Sequence, residues 1–210
     1  LSSLRALGIN AASSTPELSP TEEARKEAEG FFCRRGWEWH KIIALHPGAG
    51  GLNKVWPPQR FAALGRALTR TPAKLLIIQG PADEEVVKKV VAGLAGTPYL
   101  VVHDVPIATL AALLSHASLF IGNDSGISHL AAALGVWTLA LFGPTDPALW
   151  APRGKRAFYL QKERSIDSIE VADVLTFLNK RMKLCLIPIA PERKPIDIPM
   201  ATCSHTGGNL

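Results

Sequence analysis

Short apolar runs alternate with helical patterns along most of the chain. Runs rich in Val, Ile and Leu predict strands at 41–46, 74–79, 99–102, 118–122, 137–142 and 157–161. Between them, apolar residues recur at helical spacing and predict helices at 58–70, 83–95, 107–116, 126–134 and 167–182. Apolar strands that alternate with helices are typical of a parallel sheet buried on both faces. The pattern therefore predicts an α/β fold with a parallel sheet and helices on both faces.

Residues at the ends of these elements support the helices. Thr21 is suited to cap a short helix whose first turn is acidic, and Pro58 is tolerated at a first helical position. Asp167 with Glu170 three residues later predicts a capping box. Gly135 stands where a C-terminal glycine is expected. These four helix boundaries therefore have local chemical reasons.

The two ends of the chain depart from the alternation. Residues 10–20 are rich in Ser and Pro and are typical of a linker, and residues 183–210 predict an irregular tail in which 184–189 could form a docked edge strand. The chain has no initiator Met, and its first residues resemble the end of an element already under way. We therefore expect a fragment of a longer protein, with domain boundaries near residues 40 and 182.

Composition narrows the class of protein. The chain has 210 residues, 47% hydrophobic and 20% charged, and a net charge of +5, which suits one sizeable core. A mild basic excess favours an anionic partner, although a solvated basic face is the commoner cause. Cys33, Cys185 and Cys203 lack metal-site spacing, which predicts reduced thiols in a cytosolic protein. The most apolar window, 127–143, is shorter than the ~20 residues of a membrane span.

A glycine-rich loop, His46 to Lys54, follows the first predicted strand. Gly48 and Gly50 would let the backbone approach a ligand closely, and Lys54 could reach a phosphate as a point charge. Asn53 stands where a Walker loop, or a dinucleotide fingerprint that starts at Gly48, requires glycine. The loop predicts a phosphate site of neither type, and the alternative is an ordinary strand-to-helix turn.

An acidic turn follows the second predicted strand. Glu84 or Glu85 could accept hydrogen bonds from a ribose diol, each worth about 1.5–3 kcal/mol. Acidic residues are also favoured in the first turn of a helix without any ligand. Sequence alone leaves both interpretations open.

The segment 121–150 carries the strongest functional signal. It predicts a strand, a sharp turn with Asp124, Ser125 and Gly126 at the mouth of a helix, and a second strand that ends in a Gly-Pro-Thr turn. A helix mouth offers unpaired N–H groups and a partial positive charge, which suit a phosphate. A carboxylate beside a bound phosphate would repel it, so Asp124 is expected to face sugar hydroxyls or Lys54. The alternative is that Asp124 only caps the helix. His129, one turn into the helix, either contacts the ligand or is a core histidine.

Metal-dependent nucleotide-sugar sites commonly need paired carboxylates. No Asp-x-Asp pair occurs in the sequence, so a divalent-metal site of that kind is not expected. We therefore expect neither a metal nor a cofactor.

Four motifs together resemble a known family. LHPGAGGLNKVWPPQRFAALGRAL, LIIQGPADEE, IGNDSGISHLAAALGV and LFGPTDP are similar to the lipopolysaccharide heptosyltransferases of glycosyltransferase family 9. The resemblance spans about residues 1–180. It implies a Rossmann-like domain, the C-terminal half of a two-domain GT-B glycosyltransferase, which binds ADP-heptose as donor. Residues 1–40 would then be the end of the N-terminal domain and the linker.

The resemblance also implies roles for individual residues. Lys54 would contact the diphosphate or sugar, Glu84 the ribose with Glu85 as the alternative, and Asp124 the heptose. The diphosphate would be surrounded by Ser125, Gly126 and His129. The catalytic base of the family is an Asp of the N-terminal domain, so no catalytic residue is expected in this chain.

The implied activity is metal-independent transfer of heptose, with inversion, to a lipopolysaccharide core acceptor bound by the other domain. A cytoplasmic location follows, peripheral contact with the inner membrane stays open, and no nucleic-acid partner is expected. Two rival classes remain: another two-domain nucleotide-sugar enzyme, such as a UDP-sugar epimerase, and a non-catalytic binding remnant. A preference for UDP would indicate the first, and a lack of nucleotide affinity the second.

Overall fold

The strands form one parallel sheet in the order β3-β2-β1-β4-β5-β6. The computed structural model describes residues 15–37 and 42–182, together with Gly8. Every predicted strand is confirmed to within one residue at each end. The strands are β1 (Ile42–His46), β2 (Lys74–Ile78), β3 (Tyr99–Val102), β4 (Leu119–Asn123), β5 (Trp137–Phe142) and β6 (Ala157–Gln161).

Helices follow the strands as predicted and begin or end within a few residues of the predicted bounds. In chain order they are α1 (Glu22–Cys33), α2 (Pro58–Leu68), α3 (Glu84–Ala92), α4 (Ile107–Ser115), α5 (Gly126–Ala133), α6 (Pro147–Trp150) and α7 (Val171–Met182), with short 3-10 turns at Leu52–Lys54 and Ile166–Ser168. Thr21 caps α1 through its hydroxyl, which accepts from the Ala24 N–H. Pro58 is the first residue of α2, and Gly135 follows α5 with a φ of 73°. These three predicted boundaries are confirmed.

The predicted capping box at Asp167 and Glu170 is wrong. Asp167 lies in a 3-10 turn, and α7 begins only at Val171. The Asp173 carboxylate instead accepts from the Glu170 N–H at 2.8 Å. Ile166 and Ile169 explain the difference, because both are buried in the core and the intervening 3-10 turn lets them pack inward. Tertiary packing therefore shifted the start of the helix by one turn.

Each face of the sheet supports its own core. Alternate residues such as Ile43 and Leu45 pack with α2, α3 and α7, whereas Ile42 and Ala44 pack with α1, α4 and α5. Phe32 of α1 is fully buried on the second face. The helix over residues 22–33 thus covers the sheet. The predicted domain boundaries stay predictions, and the predicted tail at 183–210 lies outside the described residues.

The strand order places a crevice at one edge of the sheet. From β1 the chain proceeds to β2 and β3 on one side, and β4, β5 and β6 extend on the other. Loops that leave β1 and β4 therefore run in opposite directions and open a crevice at the carboxyl ends of these strands, where ligands of open α/β sheets bind. The sequence motifs 46–54 and 124–126 both lie at this edge.

Candidate functional site

The loop after β1 and the turn after β4 meet through a buried amide. Asn123, the last residue of β4, is fully buried. Its Nδ2 donates to the carbonyl of Pro47 at 2.8 Å, and its Oδ1 accepts from the Trp56 N–H at 3.1 Å. Asn123 thus binds the start of the glycine-rich loop and the chain just after it, and links both to the end of β4.

Lys54 and Asp124 form an ion pair in the crevice. The 3-10 turn at residues 52–54 presents Lys54, and its Nζ donates to Asp124 Oδ2 at 2.7 Å. The Asp124 side chain is only 8% exposed, whereas that of Lys54 is 29% exposed. The contact with Lys54, one of the alternatives that the sequence left open for Asp124, is therefore present, with the cation on the accessible side.

The Gly-Pro-Thr turn after β5 contributes a third group. Thr145 Oγ1 donates to Asp124 Oδ2 at 2.8 Å. Gln161 at the end of β6 fixes this turn, because its Nε2 donates to the carbonyls of Gly143 and Thr145 at 2.7 and 2.9 Å. The two turns of the segment 121–150 therefore lie side by side, and Asp124 joins them to Lys54.

Ser125 precedes α5 but its side chain does not cap the helix. Its Oγ lies 3.2 Å from His46 Nδ1, and His46 Nε2 lies 3.2 Å from Asp83 Oδ2. The first N–H groups of a helix have no partner within it. The mouth of α5 therefore keeps its capacity to bind an anion, while the Ser125 hydroxyl is directed to a buried histidine.

Asp83 is the carboxylate that enters the site from β2. It is 8% exposed and accepts from the Gly80 N–H at 2.9 Å as well as from His46. The hydrogen bond with His46 lowers the pKa of Asp83 below its usual value, burial opposes this, and the Gly80 N–H and the electrostatic attraction between Asp83 and His46 lower it further. Asp83 is accordingly ionised at neutral pH.

Gly48 is needed by this carboxylate. A Cβ on Gly48 would lie 2.1 Å from the Asp83 carboxyl group, which no real contact tolerates. Gly50, in contrast, is exposed and would meet nothing within 4 Å. The Asp83 side chain therefore requires a glycine at residue 48, whereas no neighbouring atom requires a glycine at residue 50.

The remaining predicted residues are exposed. Glu84 and Glu85 begin α3, and both pair with Lys88, at 2.9 and 3.3 Å. His129 is exposed on α5 and lines a cavity of about 500 Å³ with Gly126 and Arg153 among its other walls. The structure thus brings Lys54, Asp124, Ser125, Gly126 and Gly48 together and leaves the Glu84 and Glu85 side chains in solvent.

Sequence reasoning missed three members of the site: His46, Asp83 and Thr145. His46 is 4% exposed at the last position of β1. A histidine that ends an otherwise apolar buried strand is a signal that could have found it, because a buried imidazole needs hydrogen-bond partners. No local signal links it to Ser125, which is 79 residues away.

Some absences can be stated for the part of the chain that the structure describes. Within residues 15–37 and 42–182, no three His, Cys, Asp or Glu side chains converge as they would around a metal ion. In the same ranges no helix has both the length and the apolar character to cross a membrane. Cys33 ends α1 with an exposed side chain, whereas Cys185 and Cys203 lie outside these ranges.

The fold and site define a Rossmann-like α/β protein with a polar crevice where the strand order reverses. Comparison with known proteins assigns the family. The family model of glycosyltransferase family 9 (heptosyltransferase) matches residues 2–173. The chain belongs to this family, so the resemblance seen in the sequence motifs is confirmed.

Individual relatives agree with this assignment. Lipopolysaccharide heptosyltransferase 3 of Escherichia coli (strain K12) is 29% identical over 162 residues, which cover 72% of this chain and 45% of that protein. The crystal structure of the glycosyl transferase family 9 protein from Veillonella parvula DSM 2008 has a TM-score of 0.78 and 26% identity, and covers 84% of this chain and 57% of that one.

A third relative shares the fold. The Escherichia coli ADP-heptose lps heptosyltransferase II has a TM-score of 0.69 and 23% identity, with 83% of this chain and 56% of that chain covered. The chain spans about half the length of the curated relatives it matches.

Proposed function

We propose that this chain binds ADP-heptose as the donor-binding half of a metal-independent, inverting heptosyltransferase. The observation that carries the proposal is the convergence of Lys54, Asp124 and the mouth of α5 where the strand order reverses. Family membership narrows the ligand to a sugar donor, and the name of the Escherichia coli relative of the same fold suggests ADP-heptose.

Charge supports a diphosphate at this place. The Lys54 ammonium and the positive end of α5 attract an anion, and backbone N–H groups near Ser125 and Gly126 can donate to its oxygens. A carboxylate beside a phosphate would repel it, but the Lys54 ammonium lies 2.7 Å from Asp124. Both hydrogen bonds to Asp124 end at Oδ2, so Oδ1 can accept from a heptose hydroxyl.

The outer residues complete the proposed donor site. Glu84 would leave Lys88 and accept from the ribose diol, with Glu85 as the neighbouring alternative. His129 would contact the diphosphate from one turn further along α5, and Gly48 and Gly50 would border it from the other loop. These roles follow from the resemblance and from position at the carboxyl edge of the sheet.

The chemistry divides between two halves of the enzyme. In this chain, Lys54 and the N–H groups of α5 would stabilise the charge that develops on the departing ADP, the task that a metal performs in other transferases. The base that deprotonates the acceptor hydroxyl would be an Asp of an N-terminal domain, which would also bind the lipopolysaccharide core. A cytoplasmic location, with contact to the inner membrane left open, belongs to this proposal.

Calorimetric titration of the 210-residue chain with ADP and with UDP tests the proposal. ADP should bind in the presence of EDTA, and more tightly than UDP. Binding that requires Mg²⁺ would refute metal independence, and a preference for UDP would favour the epimerase-like class. A folded chain that binds neither nucleotide would be a non-catalytic remnant.

Replacement of Lys54 gives the sharper test of the site. Lys54→Ala should weaken ADP binding by about 1–3 kcal/mol, because a charge-assisted bond is lost and Asp124 is left uncompensated next to the phosphates. Lys74→Ala is the matched control, since it removes the same charge at the start of β2, at the opposite edge of the sheet. Equal dissociation constants for the two variants would remove Lys54 from the site.

A further inference from the structure

Ser125, His46 and Asp83 form a hydrogen-bonded chain whose protons can be assigned. Asp83 is ionised and can only accept, so His46 Nε2 must carry the hydrogen between them. In a neutral imidazole the other nitrogen, Nδ1, then has a lone pair. In that neutral state the Ser125 hydroxyl would donate to His46 Nδ1 across the 3.2 Å contact.

This arrangement is unsuited to an anion. With its hydrogen turned inward, the Ser125 hydroxyl presents only lone pairs at the mouth of α5 and would repel a phosphate oxygen. If the hydroxyl turned to donate to the phosphate, its own lone pairs would face the lone pair of His46 Nδ1. Two acceptors at 3.2 Å without a hydrogen between them are unfavourable, particularly since His46 is 4% exposed.

A proton on Nδ1 removes the conflict. The imidazolium donates through Nδ1 to Ser125 and through Nε2 to Asp83, and Ser125 is then able to donate outward. A buried imidazolium is costly unless an anion is paired with it, and Asp83 provides that anion from the loop after β2. Among the other charged groups, Lys54 cancels the charge of Asp124. Glu84 and Glu85 share the single cation of Lys88 in solvent, which leaves one negative charge.

We propose that His46 takes up one proton from solvent when the donor diphosphate binds, so that Ser125 becomes a hydrogen-bond donor to a phosphate oxygen. This inference rests on the proposed function, which places the diphosphate at the mouth of α5. His46 and Asp83 act as positioning residues, because they reach the ligand only through Ser125. The proton is held two hydrogen bonds away from the phosphate that leaves with ADP, with Ser125 between them, and negative charge grows on that phosphate during transfer.

Proton uptake can be measured by titrating ADP in buffers with different heats of ionisation. The titration is made at pH 8 with EDTA, well above the second pKa of about 6 of a phosphate monoester such as phosphoserine, so that the terminal phosphate of ADP is expected to be ionised already. We expect the apparent binding enthalpy of the wild-type chain to change linearly with the buffer heat, with a slope that approaches one proton taken up per ADP.

Two variants isolate the chain of three residues. Ser125→Ala should bind ADP more weakly and without proton uptake, because nothing then links the ligand to His46. His46→Gln should also bind without uptake. His46 is buried and its variant could fail to fold, whereas Ser125 lies at the surface of the site and its hydroxyl does not cap the helix. His103→Gln is the control and should match the wild type, because His103 is exposed and pairs only with its neighbour Asp104 among the described contacts.

The results separate this inference from the proposed function. ADP binding whose enthalpy is the same in every buffer would overturn the proton uptake and leave the proposed function intact. Uptake that persists in Ser125→Ala would place the proton elsewhere and also overturn it. Failure of the folded wild-type chain to bind ADP would overturn the proposed function and this inference together. In the supporting case, the ring resonances of His46 should shift toward the imidazolium position when ADP saturates the protein.

Discussion

Single atoms decide the geometry of the site, as Gly48 and Asp83 show. A Cβ at residue 48 would overlap the buried carboxylate that holds His46. Gly48→Ala should therefore lower the free energy of unfolding by about 1–3 kcal/mol, the usual cost of overpacking, and should also weaken ADP binding. Gly50→Ala is the matched control and should be neutral or slightly stabilising, because it meets nothing within 4 Å. Urea unfolding of both variants measures the difference, and equal stabilities would contradict the steric account.

Glu84 can be tested by the chemistry of its proposed partner. Glu84→Ala should reduce the preference of the chain for ADP over 2′-deoxy-ADP, because the carboxylate is proposed to accept from the ribose diol. Glu85→Ala is the natural control, since it removes the same charge from the same exposed turn and also breaks a contact with Lys88. If Glu84→Ala keeps the wild-type preference for ADP over 2′-deoxy-ADP, Glu84 only stabilises the first turn of α3. A loss confined to Glu85→Ala would move the role by one residue.

The site residues differ in how far sequence could predict them. Lys54, Asp124 and Ser125 were predictable because a glycine-rich loop and a helix mouth have local signatures. His46 and Asp83 were not, since their partnership spans 37 residues and depends on the order of the strands. Asp83 was instead expected only as the first residue of the helix predicted at 83–95. Its side chain turns to Gly80 and His46 because these groups lie within reach across the sheet edge.

At the scale of elements, local capping rules succeeded wherever packing agreed with them. Thr21 and Gly135 cap their helices as the sequence predicts. The start of α7 was misplaced because Ile166 and Ile169 are buried between the sheet and the helix. Asp167 also cannot cap an α-helix, because the residues around it form a 3-10 turn and no α-helix begins there. Periodicity thus predicted whether a segment is a helix or a strand, whereas tertiary contacts set the start of α7.

The contact between α1 and α4 should make stability depend on pH. His116 follows α4 and packs edge-on against Phe32 of α1, with ring centroids 5.8 Å apart. Burial, helped by the charge of Arg25, lowers the pKa of His116 from 6.5 to about 4. The unfolded chain therefore binds a proton that the folded chain does not between these values. The stabilising effect is complete above about pH 6.5 and is lost as the pH falls toward 4, by up to about 3 kcal/mol.

Replacement of His116 tests the direction of this pH dependence of stability. The free energy of unfolding of His116→Leu should fall less between pH 7 and pH 4.5 than that of the wild type, as measured by urea unfolding. Protonation of Asp83 and other carboxylates destabilises both proteins alike at low pH, so the difference between them isolates His116. His103→Leu is the control, because that ring is 57% exposed. The same pH dependence in all three proteins would contradict the burial argument.

At the scale of the whole molecule, the strand order assembles the candidate site. Periodicity predicted six parallel strands and two covered faces, but it contains no information on which strands are neighbours. The observed order places β1 beside β4, although three helices and two strands separate them in the chain. Lys54 contacts Asp124, and His46 contacts Ser125, because β1 and β4 are adjacent in the sheet. The family resemblance supplied the missing topology, since it implied a fold in which the two motifs share a crevice.

The position of bound ADP tests the central claim most directly. A crystal structure of the chain with ADP, grown in EDTA, should show the diphosphate at the first N–H groups of α5, with a phosphate oxygen within hydrogen-bond distance of Lys54 Nζ and of Ser125 Oγ. The adenosine ribose should lie toward the start of α3. A diphosphate bound elsewhere, for example in the 610 Å³ cavity between residues 15–20 and the C-terminal end of α5, would contradict the account.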